Sequence, residues 1–310
     1  QPTDILLAGS ADDAMIKIKL GHKEQAPPVV EKWMSQFAKD LEKRWTDQSE
    51  LIFSTWQDVT QEVTKALDNP YPIVSTAISM LTDAMMPNPL LIQQLIEKYI
   101  GSSFAYGIAL ANAGEAGIAN PPSEKTAADL TQQPGFVDII AMQFAQATAF
   151  NEVTSKDSEI MGLFRRKLIA ALANREDPYT SAREIAGELD QYQAGWSTIS
   201  RTEMARSLGQ GSLDQTRRLG REHVYLPPTN TSCIHCIRLL EKRVFPIDAL
   251  EGASNFGKKQ RDWTAAIPLH PNCTHHPIPA SSWVVEQALK TADPIPSEGV
   301  VVQYIPPAER

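Results

Sequence analysis

Three cysteines and a group of histidines near the C-terminal end are the residues best equipped for chemistry. Cys233 and Cys236 are separated by two residues, the spacing of a zinc-knuckle turn that presents two thiolates from one bend. Cys273 and His275 could return from a distant loop as a second donor pair. Cys233, Cys236, Cys273 and His275 would then offer four ligands to one zinc ion, with His270 and His276 as substitutes should His275 point away. Such an ion would staple a loop-rich segment that has few apolar residues of its own. Against this, Cys-x-His is a tighter second pair than common zinc folds use. Three buried thiols with a hydrogen-bonded His275 would account for the same residues. The odd cysteine count fits a disulfide framework badly.

The run Arg201-Thr202-Glu203 is the other candidate. Glu203 could be a catalytic carboxylate, or Arg201 a phosphate contact. No second carboxylate or nucleophile accompanies them at a recognisable spacing, so no catalytic residue and no organic cofactor site is assigned. Their structural reading is a buried charge-assisted pair tying a helix to the Cys/His segment, or a capping box with Ser200. From Arg201 to Arg243 there are eight basic residues (Arg201, Arg206, Arg217, Arg218, Arg221, Arg238, Lys242, Arg243). Four acidic residues (Glu203, Asp214, Glu222, Glu241) leave a balance of +4 in a chain of net charge −8. A solvated helix face explains this, as would a patch facing DNA or an acidic protein surface. With a pI near 5.3, the whole chain is not a general nucleic-acid coat.

The elements that must position these residues are mostly helices. Between residues 29 and 67, Val30, Trp33, Met34, Phe37, Leu41, Trp45, Ile52, Trp56, Val59 and Val63 make one apolar stripe, with an interruption near Asp47. Pro27-Pro28 begins this helix and Asn69-Pro70 stops it. Shorter helices are predicted over 73–85 and 90–111. A loop follows through Gly114, Gly117 and Pro121-Pro122, and a second break falls at Pro134-Gly135. Residues 136–174 read as helix in two pieces. Ser181-x-x-Glu184 has capping-box spacing, so a further helix starts there and runs toward Tyr192. Another polar helix ends near Gly220. After it come β-prone runs at 223–226, 243–247 and 299–305. The fold class is mainly α, a helical N-terminal body followed by a small α+β module. Its segments are 1–120 for partner docking, 121–220 leading through the Arg-Thr-Glu helix, and 221–310 as the Cys/His module with an extended tail.

A chain of 310 residues can bury a real core, and its longest apolar stretches fall short of the roughly 20 residues a membrane span needs. It begins at Gln1 rather than Met and reads as trimmed. The run Ile5-Leu6-Leu7-Ala8 is too short for a signal-peptide core.

Taken in order, Arg201-Thr202-Glu203, Cys233-x-x-Cys236 and His270-Pro271-Asn272-Cys273-x-His275 resemble the Mu F-like phage head morphogenesis family across residues 180–280. The family closes this module with a cysteine where the chain has His275. Zinc accepts Cys₃His as readily as Cys₄, whereas a disulfide would not survive the exchange. The resemblance implies a non-catalytic minor head protein in the virion, present in multiple copies. Its expected partners are the portal protein and/or the major capsid protein, with contact to packaged DNA and none to membrane. Residues 29–111, with an exposed Met- and Leu-rich patch over 80–95, would meet the portal. The basic run at Arg217–Arg221 would face the head interior. Two other classes compete: a metal-dependent His-Asn-His-like nuclease, and a Mu F-type module of a bacterial toxin. Pro277-Ile278-Pro279 directly after the histidines disfavours the metal-binding helix that the nuclease needs. The toxin would need an effector domain, and no stretch of the chain looks like one.

Overall fold

Proline and asparagine set where the long helices begin. In the computed structural model, α1 (Pro28–Lys65) starts with Pro28 in the first turn, where a missing N–H costs nothing, and Glu31 lies near the positive end of the dipole. In α2 (Pro89–Glu115), the Asn88 side chain accepts from the Leu91 N–H at 3.2 Å, with Pro89 next. Two further long helices follow, α3 (Ile139–Asn174) and α4 (Pro178–Arg218). The described residues are 27–65, 79–80, 88–115, 122–123, 125, 129, 139–174, 178–227, 234–241, 243–250, 253, 255, 258–260, 263–271, 273, 275–282, 285–286 and 302–303.

The chain is mainly α, with a small α+β module after the helices. Several helix boundaries differ from those predicted. α1 runs unbroken through Asp47, because Thr46 and Ser49 turn their hydroxyls back onto the carbonyls of Glu42 and Thr46 and so fit inside a helix. α2 continues to Glu115 and takes in Gly114. α3 is one helix rather than two, since its interior holds no proline and Gly162 alone costs only about 1 kcal/mol. α4 opens at Pro178, not at Ser181, and carries the Arg-Thr-Glu run in its interior, so Ser200 lies mid-helix rather than at a helix start. The helix predicted over 73–85 and the breaks at Gly117 and Pro134-Gly135 lie largely outside the described residues.

The chain divides into two compact units. Unit 1 comprises 1–35, 96–149 and 200–310; unit 2 comprises 36–95 and 150–199. Each boundary falls inside one of the four long helices.

In unit 2 the α1 stripe is buried at Phe37, Leu41, Trp45 and Ile52, alongside Val153 and Ile160 of α3 and Trp196 of α4. One charged pair lies within this core. Arg44 Nη2 donates to Asp157 Oδ1 at 2.6 Å, and the guanidinium stands over the Trp196 ring, 5.5 Å from its centroid. Burial pushes the Asp157 carboxyl above its usual range, against the pull of Arg44. Arg44 Nε and Nη1, Asp157 Oδ2 and Trp196 Nε1 have no hydrogen-bond partner.

In unit 1, α2 and α4 cross in very close approach. A Cβ on Gly107 would stand 2.1 Å from the Leu208 carbonyl oxygen, and one on Gly211 would stand 2.1 Å from that of Phe104. Ser103 and Ser207 fasten the crossing by donating to the carbonyls of Met204 and Ile100, both at 2.8 Å. Arg201 makes a two-pronged ion pair with Glu31 of α1 at 2.9 and 3.1 Å, and Trp33 packs edge-on against Tyr106. α4 ends at Gly220, whose φ of 70° suits a residue without Cβ. The Gly220 N–H bonds the Arg217 carbonyl and the Arg221 N–H bonds that of Thr216, a Schellman closure.

The module is built on a sheet of order β3-β1-β2-β4, every pairing antiparallel. Its strands are β1 (His223–Leu226), β2 (Arg243–Pro246), β3 (Ile278–Pro279) and β4 (Val302–Gln303). Three of them fall on the predicted β-prone runs; β3 does not. Val224 sits opposite Phe245, and Tyr225 opposite Ile278. β-Branched and aromatic residues fill the buried positions, and Pro279 is tolerated because β3 is an edge strand. Short helices α5 (Ile234–Leu239) and α6 (Ile247–Leu250) flank β2. The module core joins Val224, Leu226, Leu240, Phe245, Ile267 and Leu269 to Leu213 of α4, and includes the thiols of Cys236 and Cys273.

Candidate metal centre

The β1–α5–β2 segment supplies one half of the site and the loop entering β3 supplies the other. α5 carries Cys236, and its end is pinned where the N–H groups of Leu240 and Glu241 both bond the Cys236 carbonyl. The loop is held at two places. Buried Asn255 donates to the carbonyls of Thr264 and Leu269 and accepts from the Thr264 N–H. Past the loop, Ser212 of α4 donates to the Pro277 carbonyl at 2.6 Å, and the Ala280 N–H bonds the His223 carbonyl.

Within this frame Cys236 Sγ, Cys273 Sγ and one His270 nitrogen lie within 4.8 Å of one another, an arrangement that could hold a metal ion. The sulfurs are 4.0 Å apart, and His270 Nε2 is 3.0 Å from Cys236 Sγ. Tetrahedral zinc would place two sulfur ligands about 3.8 Å apart and a sulfur and a nitrogen about 3.6 Å apart. His270 Nδ1 is 2.6 Å from the Pro271 carbonyl, a pure acceptor, so Nδ1 carries the proton and Nε2 keeps its lone pair for a ligand. Trp263 stacks on the His270 ring at 6.0 Å between centroids, and His235 meets Trp263 edge-on.

His275 takes a different position from the one predicted. It is outside the ligand group, with Nδ1 3.6 Å from Cys273 Sγ and Nε2 3.2 Å from Glu241 Oε1. The ring is buried with Glu241 on one side and the cysteine on the other. Burial would pull its pKa down, but hydrogen bonds and charge from Cys273 and Glu241 outweigh it and hold the value at about 9. The Cys236 sulfur, and His275 after it, keep the Cys273 thiol well below its usual range despite burial. His276 is buried, and its Nδ1 has no hydrogen-bond partner. Cys233 lies outside the described residues. Of the predicted ligands, the structure therefore brings Cys236 and Cys273 together and adds His270, the substitute. The sequence reading missed Glu241, Asn255 and Trp263, whose roles depend on contacts that no spacing announces.

The Arg-Thr-Glu run does not join the site. Arg201 and Glu203 do not form the predicted pair with each other: Arg201 binds Glu31, while Glu203 is buried and takes both its short contacts, 2.6 and 2.7 Å, from Arg206 one turn on. Thr202 is half-buried on the same helix. The basic segment is largely neutralised within unit 1. Besides these two, Arg217 pairs with Asp248, Arg218 with Asp214, and Arg221 with Glu115 at 2.6 Å. Burial pulls the Arg243 pKa down, and its Nε has no hydrogen-bond partner. The side chains of Arg238 and Lys242 lie outside the described residues.

No family model, curated protein or solved structure matches the chain. No described helix is long and apolar enough to cross a membrane.

Proposed function

We propose that the chain is a structural minor head protein of a tailed bacteriophage, of the Mu F-like type, and that its module is closed by a structural zinc ion rather than built around a catalytic one. The observation that carries this reading is the ordered set Arg201-Thr202-Glu203, Cys233-x-x-Cys236 and His270-Pro271-Asn272-Cys273. Burial of both described thiols supports the structural role, since a catalytic ion must keep one position open to substrate. Cys236, His270 and Cys273 would hold the ion, with Cys233 as fourth ligand by its spacing. The ion's contribution is to tie α5 to the loop before β3. His275 and His276 are buried and lead into a strand, not into the metal-binding helix that the His-Asn-His alternative needs.

The protein would sit in the head or neck and contact the portal or coat through exposed apolar residues. Met80, Leu90 and Leu91 are such residues in the predicted patch, and Ile139, Ile140 and Phe144 of α3 are more exposed than most. Paired arginines weaken the case for DNA contact. Purified particles stripped of tails, analysed by mass spectrometry, test the assignment. The chain should be retained with the heads in a fixed number of copies. Its absence from particles, or metal-dependent nicking of plasmid DNA by the purified protein, refutes it.

A further inference from the structure

Among the described residues, Cys236, His270 and Cys273 have their donor atoms gathered within 4.8 Å. His275 stands beside them without joining that group. Its Nε2 faces Glu241 Oε1 at 3.2 Å, and a carboxylate only accepts, so Nε2 carries a proton. Its Nδ1 faces Cys273 Sγ at 3.6 Å, and a metal-bound thiolate likewise only accepts. Both groups flanking the imidazole thus call for a donor, and the ring has one N–H for each. Glu241 is placed for this by the turn that ends α5, the same helix that delivers Cys236.

We propose that His275 and Glu241 are a positioning pair outside the ligand shell: Glu241 orients the imidazole, and the imidazole donates to the Cys273 sulfur, fixing that ligand and drawing charge from it. The inference rests on the metal-centre reading above. It makes the His275–Glu241 pair, and not a further ligand, the device that sets how tightly the site holds its ion. Partners of this kind typically change metal affinity by about 10- to 100-fold when removed.

Cobalt(II) is the probe, titrated into the full metal-stripped chain and followed by absorption. In the intact protein one equivalent should give tetrahedral bands and a sulfur-to-cobalt charge-transfer band. His275→Phe should keep the stoichiometry and the tetrahedral intensity, move the charge-transfer band to lower energy, and weaken binding by about 10- to 100-fold. His275→Gln, which retains an N–H donor, should recover most of the band position, and Glu241→Gln should shift it partway. Loss of tetrahedral intensity or stoichiometry in His275→Phe would make His275 a ligand and overturn the proposal. An unshifted band in both His275→Phe and Glu241→Gln overturns it too, and if His275→Phe does not fold, an unshifted Glu241→Gln decides alone. Failure of the unsubstituted chain to bind cobalt removes the metal reading itself, a different result from a variant that binds as the unsubstituted chain does.

Discussion

The Cys236 and Cys273 thiols belong at once to the module's apolar core and to the group that could hold a metal ion, so metal binding there would be coupled to packing. Cys273→Ser and His270→Ala should each lose metal by more than the roughly 100-fold that outer partners cost. Both should unfold at lower temperature than the parent, and adding a chelator to the parent should reproduce the loss. Zinc retained at one per chain in either variant would contradict the ligand assignment. A second residue-scale prediction concerns Arg44 and Asp157. Asp157→Ala leaves a buried guanidinium without its partner and should cost about 3–5 kcal/mol by denaturant unfolding. The double change Arg44→Met with Asp157→Leu should be neutral or more stable than the parent. Asp157 has a raised pKa in the fold, so the folded chain holds this proton longer than the unfolded one. Its contribution should fall as pH rises from 3.8 toward the raised value, and the double variant should lack that slope. The sequence did carry a trace of this pair: Arg44 lies in phase with Leu41 and Trp45 on the apolar stripe. Nothing near Asp157 named it as the partner, because 113 residues separate the two.

At the scale of elements, periodicity and punctuation made the helices and most of the strands legible. Apolar steps of three and four gave α1, Gly220 gave the end of α4, and short β-prone runs pairing valine with an aromatic residue gave β1 and β2. A break was overcalled at Asp47, where polar residues fit inside a helix, and α4 opens at Pro178 rather than at the predicted Ser181. The α2–α4 crossing was not legible, since a glycine in a helix looks like a weakness until its neighbour is known. Gly107→Ala and Gly211→Ala should each cost about 1–3 kcal/mol or more, because backbone, not a pliable side chain, blocks the added methyl. Gly162→Ala has an arginine side-chain tip 3.6 Å away and should gain about 0.5–1 kcal/mol. Equal effects at all three positions, measured by thermal or urea unfolding, would mean the crossing is looser than described.

For the molecule as a whole, charge and apolar exposure point the same way. Five arginines of the basic segment are spent on carboxylates of unit 1, so binding to duplex DNA at physiological salt should be undetectable in a filter assay. Tight, steeply salt-dependent binding would restore the DNA-facing patch. Ile140→Ser with Phe144→Ser changes exposed side chains, so stability should move by no more than about 0.5 kcal/mol per site; under the proposed head-protein role, incorporation into heads should fall. Normal copy number in particles carrying that variant would place the docking surface elsewhere. Sequence patterns gave no sign that each compact unit draws on separate stretches of the chain. That arrangement has a consequence during synthesis. Ser103 of α2 must wait for Met204, 101 residues further along, before their hydrogen bond can form. At about 5–20 residues per second the wait is roughly 5–20 s. Throughout it, the face bearing Ile100, Phe104 and Ile108 is a nascent chain without its final cover, and chaperones that bind apolar segments have that interval in which to act.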